Sequence, residues 1–187
     1  MKINNIILAT LILILFSCGQ SSGVAPTISA TTGATDPSCP TFVNGDMALP
    51  ATSSILSGTA PTGWTGANYS TGFLEVYKVH SSQSSPAAGQ QAASFGGSGA
   101  TLTQVLTGLT VGNQYTISFE AGSDLVAAGV GQLSVNGVVV KTTPTLPQSF
   151  APFTSSVFTA TSTTATVVFT DTGTSQLNLT AVVLNCL

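Results

Sequence analysis

Between residues 72 and 184, apolar side chains recur at every second position in short runs, separated by Gly, Pro, Asn and Ser. A period of two is the strand signature, because successive side chains leave opposite faces of a pleated ribbon. Gln114 to Ala121 is the clearest run: Tyr115, Ile117 and Phe119 point one way, and Thr116, Ser118 and Glu120 the other. Gly72 to Val79 carries bulk on both faces and reads as a mostly buried strand. Phe73, Glu75, Tyr77 and Val79 share one side, and Leu74, Val76 and Lys78 the other. Thr101 to Leu106, Phe153 to Ala160, Ala165 to Thr170 and Leu177 to Leu184 complete the strand set. Gly131 to Lys141 predicts a hairpin, because Asn136-Gly137 sits between apolar runs and both turn residues tolerate positive φ. Pro144, Pro147 and Pro152 mark an irregular connection after it. No run has the 3.6-residue period of an amphipathic helix, so the expectation is an all-β sandwich.

The beginning of the chain follows other rules. One lysine is followed by Ile6 to Phe16, almost wholly apolar, and then Ser17-Cys18. A spanning helix needs ~20 apolar residues, so this shorter run reads as a secretory signal. Leu15-Phe16-Ser17-Cys18 resembles the lipobox of bacterial lipoproteins. The resemblance implies cleavage before Cys18, a diacylglycerol on its sulfur and an acylated new N-terminus. The alternative is a plain secretory signal with a chance cysteine. Gly19 to Ser38 has no aromatic residue and no apolar period, which is tether composition. The expected organisation is a signal peptide at 1–17, a lipidated cysteine and tether at 18–38, and one sandwich domain at 39–187.

Composition narrows the partners. Only 5% of the 187 residues are charged, against ~25% in ordinary soluble domains. There is no Arg. Once Lys2 leaves with the signal, Lys78 and Lys141 face six acids, and six minus two gives a side-chain charge of −4. Nucleic acid needs clustered cations, so it is excluded as a partner. A surface of Ser, Thr, Asn, Gln and Gly suits neutral partners such as sugars. With Cys18 assigned to lipid, Cys39 and Cys186 remain in an oxidising compartment, and two cysteines allow one pairing. The alternative is two free buried thiols.

Three stretches resemble the galactose-binding-like jelly rolls of carbohydrate-binding modules. They are Val43-Asn44-Gly45-Asp46 with Pro61-Thr62-Gly63-Trp64-Thr65; Gln104 to Phe119, which includes Thr107-Gly108-Leu109 and Gly112-Asn113-Gln114-Tyr115; and Phe158-Thr159-Ala160 with Ala165 to Phe169, closed by Val182-Val183-Leu184. The resemblance implies a jelly-roll β-sandwich over residues 39–187. It also implies a first strand lying beside the last, which would bring Cys39 near Cys186. Related modules often hold a structural Ca²⁺ between carboxylates near those strands. Here the last strand reads Leu179-Thr180-Ala181-Val182 and only Asp46 remains near the first. Ca²⁺ takes six to eight oxygens, so no cofactor is expected, and a calcium at Asp46 would be weakly held.

Candidate chemistry is sparse. His80 is the only histidine, and no Gly-x-Ser-x-Gly elbow surrounds any serine, so a Ser-His-Asp triad has no footing. Glu75 and Glu120 are the two strand carboxylates that glycoside hydrolysis would have to use. Trp64 after Pro61-Thr62-Gly63 reads as core. Phe73, Glu75 and Tyr77 share a strand face, with Tyr69 on the neighbouring loop. Ring faces beside a carboxylate form the pattern that reads a sugar. The expectation is therefore a non-catalytic surface lipoprotein, anchored to the membrane only by lipid at the bacterial outer membrane or cell surface. Its jelly roll would bind a neutral glycan through Tyr69, Phe73, Glu75 and Tyr77. The alternative is a structural or adhesive envelope module that binds protein or itself.

Overall fold

The structure, a computed structural model, describes residues 39–70, 74–78, 91–123 and 129–187. They lie within one unit, Thr35–Leu187. Phe73, His80 and Cys18 fall outside the described residues. No helix among those described is long and apolar enough to cross a membrane.

Twelve strands are found among the described residues: β1 (Ile55–Ser57), β2 (Thr65–Ala67), β3 (Leu74–Lys78), β4 (Gln91–Phe95), β5 (Thr101–Thr107), β6 (Gln114–Ser123), β7 (Gly131–Val135), β8 (Val138–Thr142), β9 (Ala151–Thr154), β10 (Phe158–Thr159), β11 (Thr164–Asp171) and β12 (Leu177–Cys186). They form two antiparallel sheets. One runs β1-β3-β4-β12-β6, with β9 and β10 side by side along the far edge of β6; the other runs β2-β5-β11-β7-β8. This is an all-β jelly-roll sandwich. The expected hairpin is β7–β8, with Asn136 at φ 50° and Gly137 at φ 79°. The run expected as one strand over Phe153 to Ala160 is broken into β9 and β10. Ser155 interrupts it, with its hydroxyl accepting the Ile117 N–H at 2.9 Å.

The inner faces meet in one core. Tyr115, Ile117, Phe119 and Ala121 of β6 face Ala165, Val167 and Phe169 of β11, and all are buried. A chain of ring contacts crosses between the sheets: Phe42 stacks on Trp64 at 5.6 Å, Trp64 tilts against Phe169 at 6.1 Å, and Phe169 meets Phe119 edge-on at 5.1 Å. Offset and edge contacts of this kind add to what burial alone contributes.

The opening segment is not a strand, which corrects the expectation of a first strand beside the last. It follows β12 through a disulfide between Cys39 and Cys186 and through the bond Val182 N–H to Gly45 O, 2.8 Å. A Cβ on Gly45 would collide with the Val182 carbonyl, so only glycine allows this approach. Two glutamines replace the missing ladder. Gln104 accepts from Val43 N at 2.8 Å and donates to Val43 O and Gly63 O at 2.9 and 3.1 Å. Gln91 accepts from Thr52 N at 2.6 Å and donates to Met47 O and Pro50 O, both at 2.9 Å. Each primary amide supplies an acceptor and two donors, as a neighbouring backbone would.

The outer face of the five-stranded sheet follows from the register. Thr101, Thr103, Val105 and Thr107 of β5 lie opposite Thr170, Val168, Thr166 and Thr164 of β11. Thr65 and Ala67 of β2 flank β5, and Gln132 and Ser134 of β7 flank β11. No charged side chain stands at any of these positions.

Candidate functional site

The outer face of the seven-stranded sheet is built differently. Across it, Glu75 of β3 lies opposite Ser94 of β4, Ser94 opposite Asn178 of β12, and Asn178 opposite Gly122 of β6. The next rank carries Tyr77 and Ala92 on one side and Thr180 and Glu120 on the other. Alternation dictates this, because Leu74, Val76, Ala93, Leu177 and Leu179 occupy the intervening positions and are buried on the other face.

These outward positions are not washed by solvent. Ala92, Ser94, Asn178 and Thr180 are at most 1% exposed. Phe150, from the irregular Pro-rich connection, packs with Tyr77 over Ala92. Ser94 donates to Gln176 Oε1 at 2.8 Å. The 147–150 segment crosses the end of β6, where Ser123 N–H donates to Pro147 O at 2.9 Å. The face is therefore a layered polar surface, with amides, hydroxyls and two carboxylates under one aromatic pair. None of its outward strand positions is Lys, Arg or His.

The structure brings Glu75 and Tyr77 together on this face, both half-buried, and Ser57 Oγ lies 3.5 Å from Glu75 Oε1. Tyr69 is exposed in the loop after β2. Its neighbour Ser70 donates to Gly96 O at 3.0 Å, which places the loop past the Leu74/Phe95 end of the β3–β4 pair. Trp64 is core, with Nε1 donating to Asn44 O at 3.2 Å. Phe95 of β4 is fully buried. Ser94, Asn178, Gln176 and Phe150 were not singled out by sequence. Asn178 and Thr180 alternate with Leu177 and Leu179, a signal that could have placed them outward. Phe150 follows no period.

Glu75 and Glu120 share the face but not a bond-cleaving geometry. Three strand spacings of ~4.8 Å and one rank of ~6.8 Å along the strands separate them, about 16 Å between backbones, whereas glycosidase carboxyls flank one bond at ~5–9.5 Å. Near the opening segment, Thr180 Oγ1 lies 2.8 Å from Gln91 O and 3.2 Å from Asp46 O. Asp46 itself is exposed, with Oδ1 accepting from Ala48 N. No group of three or more His, Cys, Asp or Glu placed to hold a metal occurs among the described residues.

Two carboxyls are held above the ordinary carboxylate range. Burial raises Glu120, whose Oε2 is buried without a hydrogen-bond partner. Burial also raises Asp171, offset in part by the backbone N–H groups of Gly173 and Gly97. Folded protein therefore holds these protons more tightly than the unfolded chain does. The contribution to stability is complete below the unfolded pKa values and is lost as pH rises through the raised folded ones. The melting temperature is expected to fall from about pH 4 towards pH 7 through these groups. A double Asp171→Asn, Glu120→Gln variant should show a flatter profile, because each amide stands in for the protonated acid. Parallel profiles for variant and wild type would refute this.

No protein-family model matches the chain, and no curated protein matches it in sequence. Solved structures do. The xylan-binding CBM22-1 domain of Paenibacillus barcinonensis Xyn10C is 13% identical, with TM-score 0.51, over 71% of this chain and 92% of that one. A CBM4 structure is 14% identical, with TM-score 0.50, over 78% and 99%. The CBM22-1–GH10 modules of Clostridium thermocellum xylanase 10B, complexed with xylohexaose, are 14% identical with TM-score 0.52, over 67% of this chain and 26% of that one. The fold is a jelly roll of the carbohydrate-binding-module type. At these identities the likeness establishes architecture, and the ligand has to be argued from the site.

Proposed function

We propose that this protein is a non-catalytic glycan-binding module, displayed at a bacterial surface by a lipid on Cys18. The observation that carries the reading is the outer face of β3-β4-β12-β6. Half-buried Tyr77, braced by Phe150, offers ring surface, Glu75, Glu120 and Gln176 offer polar groups at the surface, and none of the described outward strand positions is Lys, Arg or His. Rings supply contact area and a few fixed polar groups set orientation, as small-ligand sites generally require. A hydroxyl-rich, uncharged ligand meets both demands; a phosphate or sulfate would face two carboxylates with no Lys, Arg or His at the described outward strand positions. Xylan and xylohexaose, bound by the structural relatives, belong to this chemical class. Tyr69 extends the site from its loop, and Phe73 is the further ring proposed for it.

Calorimetric titration of the purified protein with neutral oligosaccharides, xylohexaose first, tests the reading. Tyr77→Ala and Glu75→Gln should each weaken binding at least tenfold. The melting temperature of Glu75→Gln should stay within a degree or two, since its carboxylate is half-exposed. No binding across the neutral panel would reject the proposal. Anchorage has its own test: radiolabelled palmitate should label wild type and not Cys18→Ala, and equal labelling would remove the lipid from the account.

The second reading, an envelope module binding protein, has one observation in its favour. Val138, Val139 and Val157 are at least half exposed around an apolar groove of about 330 Å³ at the β8–β10 side of the sandwich. Val139→Lys would abolish partner binding there and leave oligosaccharide binding intact.

A further inference from the structure

We infer that the outer face of the five-stranded sheet binds an ordered-water surface, that of ice. The argument starts from β5 and β11, the central pair. Thr101 and Thr103 on β5, and Thr164 and Thr166 on β11, form two Thr-x-Thr units. Their hydroxyls and methyls all leave the same side of the sheet. Strand geometry sets ~6.8 Å between positions two apart and ~4.8 Å between strands, so the side chains form a two-dimensional array. Oxygen rows on ice surfaces repeat on the same scale of spacing. Sheet twist of ~20–25° per strand confines the coplanar part to β5, β11 and their immediate neighbours.

Three properties favour ice over other occupants. The face carries no charge, and an ice lattice does not accommodate ions, whereas a charged partner would find nothing to pair with. Every outward position on β5 and β11 is Thr or Val, and such side chains are stiff at χ1. The array is therefore pre-organised, and holding it against a surface costs little side-chain entropy. Finally, no outward position on β5 or β11 is aromatic, so the ring platform that a sugar face needs is missing here. That separates this face from the glycan site, which lies on the other sheet, and the two inferences stand or fall independently.

The experiment grows a slow ice front through a solution of the purified protein and compares its concentration in ice and in liquid. Ice-recrystallisation inhibition is read on the same samples. Wild type is expected to be enriched in the ice several-fold over an inert globular protein and to inhibit recrystallisation. Thr166→Lys, at an exposed central position, should lose both effects at unchanged melting temperature. Thr110→Lys, in a turn off this face, should retain both. Exclusion of wild type from ice would overturn the inference, as would enrichment of Thr166→Lys equal to wild type. If Thr166→Lys instead abolishes self-association, or retention on an insoluble polysaccharide, in a protein that ice excludes, the face belongs to that occupant and the inference is wrong.

Discussion

Serine at both Cys39 and Cys186 is expected to lower the unfolding free energy by about 5 kcal/mol. The bridge closes a loop with a sequence separation of 147 residues, and in the chain-entropy picture the constraint on the unfolded chain grows with loop length. The native side adds a second reason. The opening segment has no strand of its own, so the bridge, the two glutamine clamps and the Gly45–Val182 bond are among the few attachments that stand in for a ladder. Domains of this size are stable by ~5–15 kcal/mol in total, so the variant should sit near the edge of folding at 37 °C. Urea titration of oxidised wild type and the double variant measures it. A midpoint shift worth less than about 1 kcal/mol would show that the segment is held without the bridge.

Trp64→Ala is expected to cost about 3–5 kcal/mol, the range for removing a large buried aromatic. Trp64 is 5% exposed, stacked on Phe42 and tilted against Phe169. Its loss opens a cavity at the point where the opening segment meets both sheets, and it also deprives Asn44 O of the indole donor. Trp64→Phe should recover part of the loss by refilling the space without restoring that hydrogen bond. Near-neutral stability for Trp64→Ala would contradict the core placement.

These outcomes bear on what could be read from the sequence. Alternation was sufficient wherever a strand is half-buried over several positions, as in Gln114 to Ala121, and Asn136-Gly137 located the hairpin. β1 and β2 are three residues each, too short for a period to register. β4 reads Gln91-Ala92-Ala93-Ser94-Phe95 and is buried on both faces, so small residues replaced the alternation. At the opening segment the resemblance implies a strand, and side-chain amides doing a backbone's work leave no periodic trace that would say otherwise. Within the candidate site, Glu75 and Tyr77 were found together because they lie on one strand. Their cross-strand neighbours Ser94 and Asn178, and Phe150 packed above, are assembled by sheet order from parts of the chain 19 to 103 residues beyond Glu75. No local pattern encodes that. Tyr77 packs on Ala92 and Phe150 while remaining half-exposed, a combination that alternation along one strand does not reveal.

The most direct test of the central claim is amide chemical-shift mapping of the isotope-labelled protein during titration with xylohexaose. The account predicts saturable shifts concentrated at Glu75, Tyr77, Ser94, Gln176, Asn178 and Glu120, fading on β5 and β11. Saturable binding whose shifts cluster instead at Val138, Val139 and Val157, or on the threonine face, would contradict it.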